Sequence, residues 1–105
     1  MRFDEYRAHD AVGLAALVAT GEVTVGELLD AAAARMAEVN PKINAVTRDM
    51  TDIARAQLPF SGPSASGPLA GVPYLLKDLG SHWGGIPTTF GSRLFADAPA
   101  ASEGA

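Results

Sequence analysis

Residues 67–79 read GPLAGVPYLLKDL, a glycine- and proline-rich lead-in to an apolar segment that is followed by Lys77 and Asp78. The apolar segment, residues 72–76, predicts a short strand buried on both faces, as in the sheets of α/β proteins. Pro73 has no N–H to donate to a ladder, so pairing is expected to begin after it. Beyond residue 79 glycine recurs up to residue 91, which predicts a loop.

The sequence before this segment predicts helices. Asp10 is a candidate N-cap for a first helix, and Gly21 suits the left-handed position just past its end. A second helix is marked by the Thr24/Glu27 capping box and is expected to end at Asn40-Pro41, because proline disfavours helical geometry in the residue before it. One apolar stripe runs along a face of this second helix and consists of Val25, Leu28, Leu29, Ala32, Met36 and Val39.

Three parts of a single domain are predicted from these patterns. Residues 1–58 are mainly helical, with a third short helix at 51–58 and a short strand or extended segment at 43–47. Residues 59–71 form a Pro/Ser/Gly loop, and residues 72–105 hold the lysine-bearing strand and the glycine-rich loop. Because two strands make a marginal sheet in water, we expect the core to be incomplete within this chain.

Composition excludes several classes of protein. The chain has 105 residues, no cysteine and a formal charge of −4, so it offers no disulfide scaffold and no basic patch for direct nucleic-acid binding. No leader and no apolar run of membrane-spanning length are visible, which predicts a cytoplasmic protein that does not enter the membrane. His9 and His82 are too isolated for a metal site, His82 and Trp83 are expected to be a structural pair, and no cofactor is expected.

Lys77 has two interpretations from the residues alone. Lysine is seldom fully buried, so Lys77 can be a surface residue that ends the strand. The carboxyl end of a buried strand is also where α/β sheets place their sites. Desolvation there disfavours a charged ammonium, and a neutral lysine can act as a general base. Composition does not decide between the two.

Five segments, in order, resemble the amidase signature family over nearly the whole chain. They are HDAVGLA at 9–15, GEVT at 21–24 with ELL at 27–29, NPKINAV at 40–46, GPLAGVPYLLKDL at 67–79 and GIPTTFGSR at 85–93. Each is weak by itself, and the ordered set is specific. The segments are most similar to the broad group of bacterial amidases that includes cyclic-dimer hydrolases of nylon oligomers.

The resemblance implies a Ser–cisSer–Lys triad in which Lys77 is the catalytic lysine. In that family the lysine takes a proton from a bridging serine, which takes one from the nucleophilic serine, and an acyl-enzyme forms. Both serines belong to a Gly/Ser-rich stretch that this sequence does not contain. Ser61, Ser64 and Ser66 precede the lysine and Ser92 aligns with another segment, so none of them is assigned a triad role.

Other polar residues near Lys77 are expected to be structural. Asp78 would point to the opposite face of the strand and accept backbone hydrogen bonds at the strand end. The residues of the following segment are expected to shape the wall around the lysine: Thr88, Thr89, Gly91 and Ser92. Asp49 and Asp52 suit the positive end of a helix dipole and need no catalytic role.

The resemblance implies an α/β fold class, with N-terminal helices and the first strands of an α/β/α sandwich built on a mixed sheet. It implies the N-terminal portion of a hydrolase that cleaves carbon–nitrogen bonds in small-molecule amides, inactive as this chain alone and with a homodimer as the assembly to test. The alternatives are an amidotransferase subunit of the transfer-RNA-dependent amidation system, or a non-enzymatic helical module that docks through Leu28, Leu29 and Met36.

Overall fold

Four α-helices and one 3₁₀ helix lie in the part of the chain that the computed structural model describes, residues 1–59, 66–79 and 83–96. They are α1 (Phe3–Arg7), α2 (Ala11–Ala19), α3 (Val25–Ile43), α4 (Thr51–Ala56) and the 3₁₀ helix Arg93–Phe95. Met1–Pro73 form one unit, and a second begins at Tyr74. Most of the predicted 59–71 loop, with Ser61 and Ser64, lies outside the described residues, as do His82 and residues 97–105.

The start and end of α2 are those that the sequence predicts. Asp10 is the N-cap, and its Oδ1 accepts a hydrogen bond from the Gly13 N–H at 2.7 Å. Gly21 follows the helix with a φ of 79°, a conformation that costs glycine little. Leu14 and Ala15 are the buried residues of α2. Both of its predicted boundary signals are therefore confirmed.

Helix α3 is the longest of the described helices and supplies two of the four buried apolar residues of the described ranges. Thr24 is its N-cap, since the Thr24 hydroxyl accepts from the Glu27 N–H at 3.1 Å. Leu28 of the predicted stripe has no exposed surface, whereas the other members of the stripe are half-buried. Ala31 is also buried, although it was not assigned to the stripe. The buried face is thus centred on Leu28 and Ala31.

The predicted end of α3 at Asn40-Pro41 is wrong, because the helix continues through Pro41 to Ile43. Proline removes one intrahelical hydrogen bond, but the last turn is still closed by the Asn44 N–H, which donates to the Asn40 carbonyl at 2.7 Å. Asn44 then leaves the helix with a φ of 50°.

The side chain of Asn40 binds the chain that follows α3. Asn40 Nδ2 donates to the Val46 carbonyl at 3.0 Å, and the Val46 N–H donates to Asn40 Oδ1 at 2.8 Å. The amide group of Asn40 thereby satisfies both backbone groups of Val46. No strand forms at residues 43–47. Ile43 is still part of α3 and Asn44 is left-handed, so the predicted strand or extended segment is wrong at its first two residues.

Helices α1 and α4 contact α3. The Arg35 guanidinium of α3 lies 4.7 Å from the centre of the Phe3 ring in α1, within the range of a cation–π contact. Asp30 of α3 pairs with Arg55 of α4 at 2.6 Å. Helix α1 was not predicted; its sequence signal is Glu5, whose carboxylate accepts from the Arg2 N–H at 2.9 Å.

Helix α4 begins at Thr51, as predicted, and ends at Ala56, two residues before the predicted end. Asp49 Oδ1 accepts from the Thr51 N–H at 2.8 Å and from the Thr51 hydroxyl. These bonds hold the pKa of the Asp49 carboxyl below its ordinary value of 3.8, because they stabilise the charged form. The predicted structural role of Asp49 at a helix start is thus confirmed.

Gly71, in the lead-in to the lysine, lies against α2 and α3. A Cβ built on Gly71 would come within 2.8 Å of Val25 Cγ2 and 3.5 Å of Val18 Cγ1. Its φ is 83°, in the left-handed region. Both the contact and the backbone conformation therefore require glycine at this position.

The strand predicted at residues 72–76 is not formed. These residues have no regular secondary structure, and the side chains of Tyr74 and Leu75 are 77% and 72% exposed. A strand needs a neighbour to pair its N–H and C=O groups, and the described ranges contain no strand that could supply one. The described residues of the chain are helical, and the α/β class is not displayed among them.

Candidate functional site

Lys77 lies in the second unit, at the end of the apolar segment. Its side chain is exposed, and so are those of Tyr74 and Leu75 before it. The desolvation expected of a lysine at the end of a buried strand is therefore not supplied by the described residues around it. What the structure does show is how the backbone next to Lys77 is held.

The Asp78 carboxylate, directly after Lys77, binds Thr89 through both of its oxygens. Asp78 Oδ1 accepts from the Thr89 N–H at 2.6 Å, and Asp78 Oδ2 accepts from the Thr89 hydroxyl. Hydrogen bonds to a charged acceptor are roughly twice as strong as neutral ones. The structural role predicted for Asp78, accepting a backbone hydrogen bond, is confirmed, although not at the end of a strand.

Thr89 begins a tight turn. The Ser92 N–H donates to the Thr89 carbonyl at 2.8 Å, and the Gly91 N–H donates to the Thr89 hydroxyl at 3.3 Å. The two central residues, Phe90 and Gly91, have φ values of 53° and 70°, as a type I′ turn requires. A bulky residue is rare at positive φ, so the turn is held against a conformational cost at Phe90.

The neighbours of Thr89 in the chain are buried or make contacts of their own. The Thr88 side chain is 9% exposed, which makes it the buried polar residue of the described ranges. The Phe90 and Phe95 rings meet edge to face with their centres 5.8 Å apart. Ser92 accepts from the Leu94 N–H at 3.2 Å and so caps the 3₁₀ helix. The Ser92 hydroxyl thus has a structural partner.

The pairing of Asp78 with Thr89 was not predicted from the sequence. From the sequence, Asp78 is expected to accept backbone hydrogen bonds and Thr89 to shape the wall around Lys77, as separate roles. The two residues are 11 positions apart with a glycine-rich segment between them, a spacing that no helix or strand period brings together. The contact depends on how the two segments fold against each other, which the local sequence pattern does not contain.

The described ranges contain neither a candidate group of metal ligands nor a membrane-spanning helix. No set of three or more His, Cys, Asp or Glu side chains that could hold a metal ion occurs in the part of the chain with a structure. Likewise, none of the helices found there combines the length and apolar character needed to cross a bilayer.

The chain belongs to the Amidase family, whose model matches residues 27–105, a range that includes Lys77, Asp78 and Thr89. This confirms the resemblance read from the five segments. No solved structure matches the chain.

Among curated proteins, the chain is 50% identical over 70 residues to 6-aminohexanoate-cyclic-dimer hydrolase of Pseudomonas sp. (strain NK87), covering 67% of this chain and 13% of that protein. It is 39% identical over 95 residues to acylamidase of Rhodococcus erythropolis, covering 83% and 19%. It is 39% identical over 83 residues to a glutamyl-tRNA(Gln) amidotransferase subunit of Maridesulfovibrio salexigens, covering 75% and 17%. The chain thus spans less than a fifth of the length of each.

Proposed function

We propose that the full-length protein carrying this chain is an amidase that hydrolyses carbon–nitrogen bonds in small-molecule amides, with Lys77 as its catalytic base. The observation that carries the proposal is the family match across residues 27–105, which includes the lysine-bearing segment. The names of two similar proteins, a hydrolase of a cyclic amide dimer and an acylamidase, point to amide substrates without a peptide backbone.

In the proposed mechanism, Lys77 Nζ accepts a proton from a bridging serine as that serine accepts one from the nucleophilic serine. The nucleophile's Oγ attacks the amide carbonyl, the C–N bond breaks, and the departing amine takes a proton. Water then hydrolyses the acyl-enzyme ester and regenerates the serine. Both serines lie outside this sequence, so Lys77 is the member of the triad that this chain contributes.

Catalysis by Lys77 also requires a less hydrated environment than the described residues provide. A buried strand at residues 72–76 would provide it, because pairing on both sides would cover Tyr74 and Leu75. We therefore include in the proposal the α/β/α sandwich with a mixed sheet that the family resemblance implies. The 105-residue chain alone would then lack both the serines and the sheet, and it is expected to have no amidase activity.

The test uses the full-length protein with 6-aminohexanoate cyclic dimer and a series of simple aliphatic and aryl amides. Release of amine or acid supports the proposal, as does the mass of an acyl adduct in the quenched enzyme. Lys77→Ala should lower kcat by a factor of about 10⁴ or more, on the scale found when a triad member is removed. Lys42→Ala is the matched control, since Lys42 is the other lysine of the chain and is exposed at the end of α3.

Two outcomes would overturn the proposal. One is a folded full-length protein that hydrolyses none of these amides. The other is a Lys77→Ala variant with turnover equal to that of Lys42→Ala. Light scattering on the same preparation measures whether the protein forms a homodimer.

The second candidate function is that of an amidotransferase subunit, favoured by the relatives of that name at 37–40% identity. Such a subunit would release ammonia from an amide donor for transfer to a glutamyl-tRNA, in a complex with partner subunits. Ammonia formation from glutamine that rises only when the partner subunits and charged tRNA are added would favour this function. Turnover of cyclic or aryl amides by the isolated full-length protein favours the first.

A further inference from the structure

We propose that Thr89, through the Asp78 carboxylate, is a positioning residue for Lys77. This inference rests on the proposed function and adds to it a residue from a second segment of the chain. Asp78 is bonded to Lys77 by one peptide link, and both carboxylate oxygens of Asp78 accept hydrogen bonds from Thr89. The residue that follows the base is therefore fixed to a turn 11 positions further along.

The turn that carries Thr89 is itself restrained. The Thr89 carbonyl accepts from the Ser92 N–H at 2.8 Å, and its hydroxyl accepts from the Gly91 N–H at 3.3 Å. Phe90 is kept at a φ of 53°, which a bulky side chain adopts only when its surroundings determine it. The Thr89 hydroxyl thus both donates to Asp78 and accepts from Gly91, which leaves it little freedom to rotate.

The side chains that flank this arrangement do not hold Lys77 in place. Tyr74 and Leu75 are largely exposed, and the described residues form no strand that would fix the backbone at position 77. The Asp78–Thr89 contact restrains the residue directly after the lysine. A base must reach its proton donor within hydrogen-bonding distance, so the setting of the backbone beside it affects the chemical step.

The experiment is a double-substitution cycle in the full-length protein. Thr89→Val removes the hydroxyl and keeps the branched shape and the backbone N–H. We expect it to lower kcat about tenfold to a hundredfold with little change in KM, the loss typical of a small misplacement of a catalytic group. Thr89→Ser, which restores the hydroxyl, should recover most of the lost rate.

The second arm of the cycle places Thr89→Val in the Lys77→Ala background. If Thr89 acts by positioning Lys77, it should have almost no further effect on the residual rate, because the group that it positions is gone. A purely structural residue would lower the folded fraction equally in both backgrounds. Should Thr89→Val not fold, the same cycle with Asp78→Asn tests the contact from its other side.

The outcomes separate this inference from the proposed function. If the wild-type protein hydrolyses no amide, or if Lys77→Ala keeps its activity, the proposed function fails and the inference falls with it. If Lys77→Ala loses activity while Thr89→Val keeps its kcat, the proposed function stands and the positioning role is wrong. Equal effects of Thr89→Val in both backgrounds would also overturn the positioning role, as would failure of Thr89→Ser to recover the rate.

Discussion

Lys77 and Gly71 lie six positions apart in the same family-matched segment, yet the chemistry that they require is different. For Lys77 the proposed requirement is a group that can accept a proton. For Gly71 the requirement is the absence of a side chain, because Val25 is in contact and φ is positive. Substitutions at the two positions are therefore expected to be seen in different measurements, the first in turnover and the second in stability.

The proton-acceptor role of Lys77 predicts that arginine cannot replace it. Lys77→Arg keeps a positive charge and a long side chain, but guanidinium stays protonated at neutral pH and accepts no proton. We expect kcat of the full-length protein to fall nearly as far as in Lys77→Ala, by a factor of about 10⁴. Steady-state kinetics and thermal melting on both variants check this. Near-normal turnover in Lys77→Arg would mean that only the charge matters.

Gly71→Ala should lower the stability of the full-length protein, for two reasons that can be separated. A left-handed φ costs a non-glycine residue about 1–2 kcal/mol, and overpacking against Val25 adds about 1–3 kcal/mol. Gly21→Ala is the matched control, because Gly21 has a similar φ of 79° and no atom within 4 Å of a built Cβ. Urea unfolding followed by circular dichroism should show the larger loss for Gly71→Ala. Equal losses would show that the Val25 contact yields at no cost.

At the scale of the element, the capping residues predict where helices begin better than the breaking residues predict where they end. Asp10 and Thr24 cap α2 and α3 as expected, because a side-chain oxygen opposite free N–H groups is a local arrangement that neighbouring residues determine. Pro41 was expected to stop α3, but the bonds made by Asn40 and Asn44 close the last turn around it. Those bonds depend on the path of the chain after the helix, which the local pattern does not contain.

The absence of a strand at residues 72–76 and the pairing of Asp78 with Thr89 could not be predicted for the same reason. The period and apolar character of residues 72–76 match a strand, but a strand forms only where neighbours complete its hydrogen bonds. The Asp78–Thr89 contact likewise depends on a turn 11 residues away. The sequence identified Lys77 as the candidate base through the family segments, whereas the contacts around it required the structure.

The hydrogen bonds between Asp49 and Thr51 at the start of α4 predict a pH dependence of stability. The pKa of Asp49 is lowered in the folded protein, first by the Thr51 hydroxyl and then by the Thr51 N–H. A depressed carboxyl pKa stabilises the fold above the unfolded value of 3.8, and this stabilisation is lost as the pH falls through the folded pKa. Wild type should therefore melt above Asp49→Asn at pH 6, and the difference should shrink below pH 3.8.

Asp52→Asn is the control for this effect. It removes a carboxylate from the first turn of the same helix without removing either bond between Asp49 and Thr51. Thermal melts of both variants across the acid range separate the Asp49–Thr51 hydrogen bonds from the general effect of charge at a helix start. An Asp49→Asn difference that is constant from pH 6 to pH 2.5 would contradict the stabilisation by ionised Asp49.

At the scale of the whole molecule, exposed apolar side chains are concentrated in the later part of the chain. Of the large apolar residues that the structure leaves exposed, most lie between residues 69 and 95, and they include Tyr74, Leu75 and Leu94 at 77%, 72% and 82% exposure. Extended apolar segments with unpaired backbone groups are prone to associate with other chains. The 105-residue chain alone is therefore expected to self-associate.

Leu75→Ser should reduce that self-association, because it removes an exposed apolar side chain from a segment with no paired neighbour. Val12→Ser is the matched control: Val12 is 59% exposed but lies on α2, whose backbone groups are bonded within the helix. Size-exclusion chromatography with light scattering on the 105-residue chain should show a lower mean mass for Leu75→Ser only. If the unaltered chain is a clean monomer, the expectation that it self-associates is wrong.

The amide group of Asn40 has a consequence that can be followed by hydrogen–deuterium exchange. The Val46 N–H lies beyond the end of α3, in irregular chain, but it is bonded to a side chain anchored on the helix. Its proton should exchange slowly, while the exposed neighbours Ala45 and Thr47 exchange at rates close to those of free peptide. Because the bond breaks when the last turn opens, the protection of Val46 becomes a measure, taken from outside the helix, of how often α3 frays past Pro41.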